Sequence, residues 1–294
     1  MSDLSSHIIL VGSGKMGGGI LRGWLRQNDF PIDQIFVIEP QAGELAAALA
    51  MEHAGRHNYH IAPDLASIEE LIGTLAAGAL KAIIFAIKPQ VFPQILPLYR
   101  ELAARHHPIL ISIAAGQTLQ NIAQYFPDQA IIRTMPNLPA SIGRGVSVAV
   151  ANAAVSDVQK NLADRLMAAC GASLWIDDEA KIDAVTAVSG SGPAYVFYLT
   201  EILAEAAQEQ GLDGDLAHEL ARKTVMGAAA LLEQSTESAA TLRQNVTSPG
   251  GTTAAALQIL MSDTAAPNAK SGFAPQFKAA IAAAAARSRE LAGK

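Results

Sequence analysis

Three glycines near the start of the chain are spaced as a dinucleotide-binding turn requires. Gly12, Gly14 and Gly17 form a G-x-G-x-x-G pattern, with an apolar run over residues 8–11 before it and an amphipathic run after it. The first glycine allows a tight bend, the second lets the backbone approach a diphosphate, and the third lets helix and strand pack closely. We therefore predict a strand, a turn and a helix whose first N–H groups bind the diphosphate without a lysine.

A carboxylate follows the second apolar run. Glu39 lies directly after residues 35–38, about twenty residues beyond the glycine turn, where an acidic side chain accepts hydrogen bonds from ribose hydroxyls. This position favours NADH. The alternative is a solvated charge at a strand end, because Pro40 begins a loop that could turn Glu39 away from a ligand.

Polar side chains also follow the apolar runs over residues 82–87 and 130–133. Lys88 is expected to end the first of these two strands, and ligands of open α/β sheets bind beyond the carboxyl ends of strands. A cofactor-side role for Lys88 competes with that of a strand-terminating lysine before a helix-starting Pro89. Asn137 lies between Pro136 and Pro139. So stiff a backbone suits recognition of a cofactor or substrate amide, although the loop could also serve only to close the domain.

Two glycine-rich turns in the second half each introduce a helix. Residues 189–195 carry Pro193 in a position suited to a first helical turn. Residues 248–253 place hydroxyls and unpaired N–H groups together at a helix amino terminus, which can bind a carboxylate. Capping of that helix by Ser and Thr is the structural alternative.

Several kinds of chemistry are disfavoured. Of the seven histidines, only His218 lies in the second half of the chain, which argues against a histidine-based 2-hydroxy acid dehydrogenase. Residues 189–219 contain no Lys or Arg, which removes the helix lysine expected of the β-hydroxyacid dehydrogenases. His53, His57 and His60 have no cysteine nearby, so they predict a polar loop rather than a metal site.

The composition narrows the partners and the compartment. Of 294 residues, 21 are Lys or Arg and 27 are Asp or Glu, a net charge of -6 that argues against nucleic-acid binding. The single Cys170, read as a small buried hydrophobe, cannot form an intramolecular disulfide. With no secretory leader legible, we expect a cytoplasmic protein. The alanine-rich run over residues 279–286 is too short and too closely flanked by charges to span a membrane.

The order of apolar runs predicts two domains. The β-rich runs are residues 8–11, 35–38, 82–87, 109–113, 130–133, 145–150 and 173–176, with a helix over about residues 156–169. Their alternation with amphipathic stretches indicates an α/β fold with a Rossmann-type doubly wound sheet over residues 1–177. Alanine- and leucine-rich segments then predict an all-α domain over residues 178–294. Its few aromatic residues favour large helix–helix surfaces and an intertwined dimer.

Six segments form a specific set of motifs. They are residues 12–17, residues 86–90, residues 112–116, the Met-Pro-Asn turn at 135–137, Ser-Gly-Ser-Gly-Pro-Ala-Tyr at 189–195, and Asn-Val-Thr-Ser-Pro-Gly-Gly-Thr-Thr at 245–253. Through them the chain resembles the pyrroline-5-carboxylate reductase family over nearly its whole length. The resemblance implies reduction of the cyclic imine 1-pyrroline-5-carboxylate to L-proline by hydride from NADPH or NADH. It also implies a helical dimerisation domain that interleaves with a partner subunit, and dimers that often assemble into a decamer.

The resemblance implies roles for individual residues. Ser248, Gly251, Thr252 and Thr253 would surround the substrate carboxylate and ring, with Thr253 as the catalytic hydroxyl near the ring nitrogen. The implied cofactor-binding residues are Gly12, Gly14, Lys15, Met16, Gly17, Glu39, Ala86, Lys88, Pro89, Ala115, Asn137 and Asn245. No metal is implied, since a protonated imine is already electrophilic and positioning with electrostatics can do most of the work.

Two residues depart from the usual family pattern. Leu138 replaces the threonine usual after Met-Pro-Asn. Glu39 stands where family members often carry a small or basic residue that accepts a 2′-phosphate, so the choice between NADH and NADPH stays open. Two other functions also stay open: an imine or carbonyl reductase with a different small anionic substrate, and a dinucleotide-sensing module whose helical half binds a protein.

Overall fold

The computed structural model describes residues 6–27, 29–41, 48–49, 58–262 and 272–292. The chain forms two compact units. The first contains the residues up to Gly190 together with those from Ala285 onward, and the second is Ser191–Ala284. The predicted domain boundary after residue 177 stays a prediction. His53 and His57, predicted to lie in a polar loop, are outside the described residues, whereas His60 lies in the strand Asn58–Ala62 and not in a loop.

An eight-stranded sheet forms the centre of the first unit. Its strands are β1 (His7–Val11), β2 (Gln34–Ile38), β3 (Asn58–Ala62), β4 (Leu80–Phe85), β5 (Ile109–Ser112), β6 (Ile131–Met135), β7 (Gly145–Ala151) and β8 (Gly171–Trp175). The strand order is β3-β2-β1-β4-β5-β6-β7-β8. Strands β1 to β6 run parallel, whereas β7 pairs antiparallel with β6 and parallel with β8. The first six strands confirm the doubly wound order, which reverses between β1 and β4.

Helices cover the sheet. They are α1 (Lys15–Arg26), α2 (Glu69–Gly73), α3 (Phe92–Ile95), α4 (Arg100–His106), α5 (Leu119–Ala123), α6 (Asp157–Ala168) and α7 (Ile182–Val185). Because strand side chains alternate between faces, β1 supplies Ile8 to one apolar cluster with Trp24, and Ile9 to a second cluster with Tyr99. The Trp24 indole Nε1 donates to the Leu166 carbonyl at 2.8 Å, which ties α1 to α6.

One strand end differs from the prediction. Strand β4 ends at Phe85, so Lys88 lies three residues beyond the strand rather than at its end. Lys88 has extended backbone angles and precedes a 3₁₀ turn over Pro89–Val91, in which the proline occupies the first turn as predicted. The residue before a proline is disfavoured in the helical region, which explains why the turn begins after Lys88.

The second unit is helical. Its helices are α8 (Gly192–Glu209), α9 (Gly214–Gln234), α10 (Ala239–Asn245) and α11 (Thr252–Leu260), while α12 (Phe273–Leu291) begins in this unit and ends in the first. Turn-forming residues over 211–214, 235–238 and 248–251 predict breaks between these helices, and the structure confirms all three. The fully covered residues of α8 and α9 are alanines, whereas Phe197 and Tyr198 are 61% and 62% exposed. Across the described residues, no helix has the length and apolar character needed to cross a membrane.

Candidate functional site

The glycine turn joins β1 to α1 as the sequence predicts. Gly12 has a φ of +93°, and an added Cβ would lie 2.7 Å from the Ala86 carbonyl oxygen. A Cβ at Gly17 would collide with the Gly12 carbonyl oxygen, because helix and strand touch there. At Gly14, by contrast, an added Cβ would have no atom within 4 Å. Two glycines are thus required by the fold, and one leaves open space above the turn.

The amino terminus of α1 is suited to an anion. Gly14 is its N-cap residue and is exposed, no side chain caps the helix, and the first turn contains no acidic residue. The first N–H groups of a helix and its dipole favour negative charge at this end. The turn lies at the carboxyl end of β1, next to the reversal of strand order where open α/β sheets bind ligands. The residues present therefore fit the diphosphate of a dinucleotide.

Glu39 faces the glycine turn. Its Oε2 accepts a hydrogen bond from the Ser13 backbone N–H at 2.8 Å, and its Oε1 accepts one from the Gln41 N–H at 3.1 Å. The Glu39 N–H itself donates to the Ala62 carbonyl at 2.9 Å, which continues the pairing of β2 with β3. The loop at Pro40 therefore does not turn the carboxylate away. A negative charge stands against the turn at the end of β2.

The segments after β4 and β5 lie at the same edge of the sheet. The Ala86 N–H donates to the Val11 carbonyl at 2.8 Å, which fixes the start of the segment beside the glycine turn. Lys88 and Ala115 are exposed, and Pro89 is partly buried. Because β1, β4 and β5 are parallel neighbours, their carboxyl ends share one edge. The cofactor contacts assigned to Ala86, Lys88, Pro89 and Ala115 stay predictions.

Asn137 is engaged on both sides of its amide. Its Oδ1 accepts from the Val146 N–H at 2.9 Å, and its Nδ2 donates to the Ser189 carbonyl at 3.2 Å. Ser189 belongs to a π-helical turn over Thr186–Gly190, immediately before the second unit. Such turns are rare and frequently found at functional sites. The buried amide holds this turn to the sheet, and its predicted contact with a cofactor stays a prediction.

The second glycine-rich turn forms an anion-ready helix end in the second unit. Gly251 is the N-cap of α11, and its N–H donates to the Ser248 carbonyl at 3.0 Å. Gly250 has a φ of +69°, a conformation that favours glycine. No side chain caps α11 and its first turn carries no acidic residue, so the Ser and Thr side chains do not cap it. Ser248 is exposed and Thr253 is partly exposed.

Asn245 closes α10 just before this turn. Its Nδ2 donates to Glu237 Oε2 at 3.2 Å, and both side chains are exposed. The cofactor-side role that the resemblance implies for Asn245 stays a prediction.

A buried ion pair was not predicted. Arg133 in β6 donates from Nη1 to Glu179 Oε1 at 2.8 Å, and its side chain is 3% exposed. The only signal in the sequence is a charged residue within an apolar strand, which requires a partner when the strand is buried. The identity of that partner, 46 residues away, is not encoded locally.

Neither thiol nor metal chemistry is supported in the described part of the chain. Burial raises the pKa of the Cys170 thiol to about 12, so it stays protonated and unreactive. Among the described residues, no group of three or more His, Cys, Asp or Glu side chains could hold a metal ion.

The fold and its two helix ends define a class. A doubly wound sheet with an open dinucleotide turn, followed by a helical unit with its own anion-ready turn, is the organisation of an NAD(P)H-dependent oxidoreductase. A family model described as NADP oxidoreductase coenzyme F420-dependent matches residues 7–116. A second, described as pyrroline-5-carboxylate reductase dimerisation, matches residues 179–291.

Known proteins identify the family within that class. A pyrroline-5-carboxylate reductase of Synechocystis sp. is 35% identical over 99% of this chain and 100% of its own length. One from Pseudomonas aeruginosa is 36% identical over 97% of each chain. The solved structure of one from Coxiella burnetii has a TM-score of 0.83 at 32% identity and covers 98% of both chains. The chain belongs to the pyrroline-5-carboxylate reductase family.

Proposed function

We propose that this chain reduces 1-pyrroline-5-carboxylate to L-proline, the last step of proline biosynthesis, with NADH or NADPH as electron donor. The observation that carries the proposal is the pair of uncapped helix ends, one at a dinucleotide turn and one at Ser-Pro-Gly-Gly-Thr-Thr. A dinucleotide and a small carboxylate each require such a site. A sensor of the dinucleotide alone has no need of the second.

The first unit supplies the cofactor site. Gly14, Lys15, Met16 and their neighbours in the turn would bind the diphosphate through the backbone of α1. Ala86, Lys88, Pro89 and Ala115 would lie along the cofactor, because they follow strands whose carboxyl ends share the edge with the turn. When bound, the cofactor supplies the hydride that reduces the imine carbon.

The second unit supplies the substrate site. The N–H groups at the start of α11, with Ser248, Gly251 and Thr252, would hold the carboxylate of the imine. The Thr253 hydroxyl would hydrogen-bond the ring nitrogen as it becomes an amine, and Asn245 would contact the cofactor. A protonated imine is electrophilic, so orientation and electrostatic stabilisation suffice without a covalent nucleophile.

Glu39 favours NADH over NADPH in this proposal. Its carboxylate stands against the glycine turn, held by the Ser13 N–H at 2.8 Å. An acidic group at the end of the second strand accepts hydrogen bonds from ribose hydroxyls, and its charge repels a 2′-phosphate.

The helical unit would form a homodimer, and dimers would assemble into a decamer. Its helices α8 and α9 leave large apolar side chains exposed, among them Phe197, Tyr198 and Leu231. A second copy of the same helices is the partner that the dimerisation family model supports. Light scattering at micromolar protein concentration tests this proposal, and a monomer at that concentration would contradict it.

The compartment we propose is a reducing cytoplasm. The buried Cys170 is not part of a disulfide, which fits such a compartment.

The reaction is tested by following NADH and NADPH oxidation with and without 1-pyrroline-5-carboxylate. We expect substrate-dependent turnover that falls on the order of a hundredfold in Thr253→Ala, the loss typical of one transition-state hydrogen bond. Thr236→Ala, at an exposed position of the same unit, is the matched control. Cofactor binding without turnover of this or any cyclic imine would support the sensor, and turnover of a different imine alone would change the substrate.

A further inference from the structure

Two acidic residues at the start of the helical region lie four positions apart. Glu179 begins a 3₁₀ turn, Glu179–Lys181, that runs directly into α7, where Asp183 is 2% exposed. Both belong to the first unit and follow the last strand of the sheet. Carboxylates are rarely so buried unless they are hydrogen-bonded to a specific partner.

Glu179 reaches the far end of the loop that follows β5. Its Oε1 accepts a hydrogen bond from the Leu119 N–H, the first residue of α5, at 2.9 Å. The same oxygen accepts from Arg133 Nη1 at 2.8 Å. The buried guanidinium of Arg133, on β6, therefore holds the Glu179 carboxylate in place. The carboxylate in turn holds the first residue of α5.

Asp183 reaches the near end of the same loop through the last turns of α12. Its Oδ1 accepts from the Ser288 hydroxyl at 2.8 Å, and Ser288 is 8% exposed. Three residues further on, the Leu291 carbonyl oxygen lies against Gly116, at 3.0 Å from the position of an added Cβ. Gly116 is buried and has a φ of +75°, so neither its backbone nor its surroundings accept a side chain.

The loop between β5 and α5 is therefore held at two points. Leu119 is fixed from Glu179, and Gly116 is covered by the end of the helix that Asp183 anchors. Ala115 stands between Ser112, the last residue of β5, and Gly116, and it is exposed at the carboxyl edge of the sheet.

We infer that Glu179 and Asp183 are positioning residues, which hold the loop of Ala115 in the conformation that accepts the cofactor. The inference rests on the proposed cofactor contact of Ala115. Its physical basis is that a short loop, held by a part-buried hydrogen bond at Leu119 and covered by a helix end at Gly116, presents its exposed residue to a ligand with little loss of entropy on binding.

The test uses full-length variants and measures cofactor binding directly. Ser288→Ala removes the hydroxyl that donates a hydrogen bond to Asp183, and Ser288→Thr restores a hydroxyl at that position. Glu179→Gln keeps an acceptor for Leu119 but removes the charge that faces Arg133. Glu290→Gln, an exposed carboxylate of the same helix that pairs with Arg287, is the matched control. Two quantities are measured for each variant. NADH fluorescence gives the dissociation constant of NADH, and hydrogen–deuterium exchange gives the deuterium uptake of a peptide covering residues 113–120.

The inference predicts a dissociation constant raised by about tenfold in Ser288→Ala and Glu179→Gln, which corresponds to about 1.4 kcal/mol of lost binding free energy. Deuterium uptake of the loop should rise in both variants, and both values should return towards wild type in Ser288→Thr. Unchanged NADH binding and loop uptake in folded Ser288→Ala would overturn the inference. Wild-type protein that binds no dinucleotide would instead overturn the proposed function.

Discussion

The terminal methyl group of Met135 lies 2.9 Å from the position that a Cβ on Gly190 would occupy. Met135 ends β6, and Gly190 ends the π-helical turn that precedes α8. The contact stands beside the hydrogen bond from Asn137 to the Ser189 carbonyl. The turn is thus held to the sheet by close packing at one residue and by an amide at its neighbour.

Asn137→Ala should lower the free energy of unfolding by about 1–3 kcal/mol, because the Val146 N–H and the Ser189 carbonyl lose their partner inside the protein. Urea denaturation measures this, with Gln120→Ala at an exposed helical position as the control. The same variant separates the two roles of Asn137. If its amide only holds the turn, folded protein keeps its NADH affinity; a weakened affinity at equal folding would favour a direct cofactor contact.

The glycines of the first turn should respond differently to alanine. Gly14→Ala should leave the midpoint of thermal unfolding nearly unchanged, since an added Cβ has no neighbour within 4 Å. It should weaken dinucleotide binding, because the methyl group stands where a diphosphate would approach the backbone. Gly17→Ala should destabilise the fold by about 1–3 kcal/mol or more, the usual effect of overpacking.

Thermal unfolding and NADH titration of the two variants make the comparison. Equal loss of stability in both would contradict the different roles given to the two glycines. Unchanged binding in Gly14→Ala would place the diphosphate elsewhere.

Glu39→Gln should raise the ratio of kcat/KM for NADPH to that for NADH by about tenfold, which corresponds to about 1.4 kcal/mol. The amide keeps an acceptor for the Ser13 N–H and removes the charge that repels a 2′-phosphate. The increase should shrink at high salt, since screening weakens the repulsion. Glu101→Gln, an exposed glutamate paired with Arg105, is the control, and an unchanged ratio in Glu39→Gln would refute this assignment.

Stability should fall as the pH drops below about 6.5, the ordinary pKa of histidine. Burial lowers the pKa of His106, with a further effect of Arg105 and His7, and burial also lowers the pKa of His7. In this range the unfolded chain binds more protons than the folded one, so the free energy of unfolding increases with pH.

His106→Leu should reduce that slope, whereas exposed His218→Gln should not. Urea denaturation between about pH 5 and pH 8 measures the slope of the free energy of unfolding. Identical slopes in the wild type and His106→Leu would show that His106 does not contribute to the pH dependence.

Local features of the fold could be predicted from the sequence. The glycine turn, the turn before α11 and the breaks between helices each depend on a few consecutive residues with strong backbone preferences. The absence of a Ser or Thr cap on α11 is visible only in the structure. Strand β3 is not among the predicted runs, because its sequence Asn-Tyr-His-Ile-Ala lacks a continuous apolar stretch. The apolar run over residues 82–87 predicts a strand end at Lys88, three residues beyond the observed end at Phe85, because an apolar run does not show where pairing stops.

The long-range contacts could not be predicted. Arg133 pairs with Glu179 across 46 residues, and Asp183 accepts from Ser288 across 105. A single sequence offers many acidic and hydroxyl residues as partners, and the choice depends on how distant segments approach after folding. The two anchors of the Ala115 loop are therefore visible only in the structure.

The first unit consists of two segments of the chain, and the ribosome makes the whole second unit between them. Its sheet is complete by Trp175, but its last segment, from Ala285, is made only after Ser191–Ala284 has been translated. At about 5–20 residues per second, that interval lasts about 5–20 s on the ribosome. During it, Gly116 is uncovered and Asp183 lacks the Ser288 hydroxyl. A nascent chain can thus form the sheet early, yet its dinucleotide-binding unit matures only once the final helix is released.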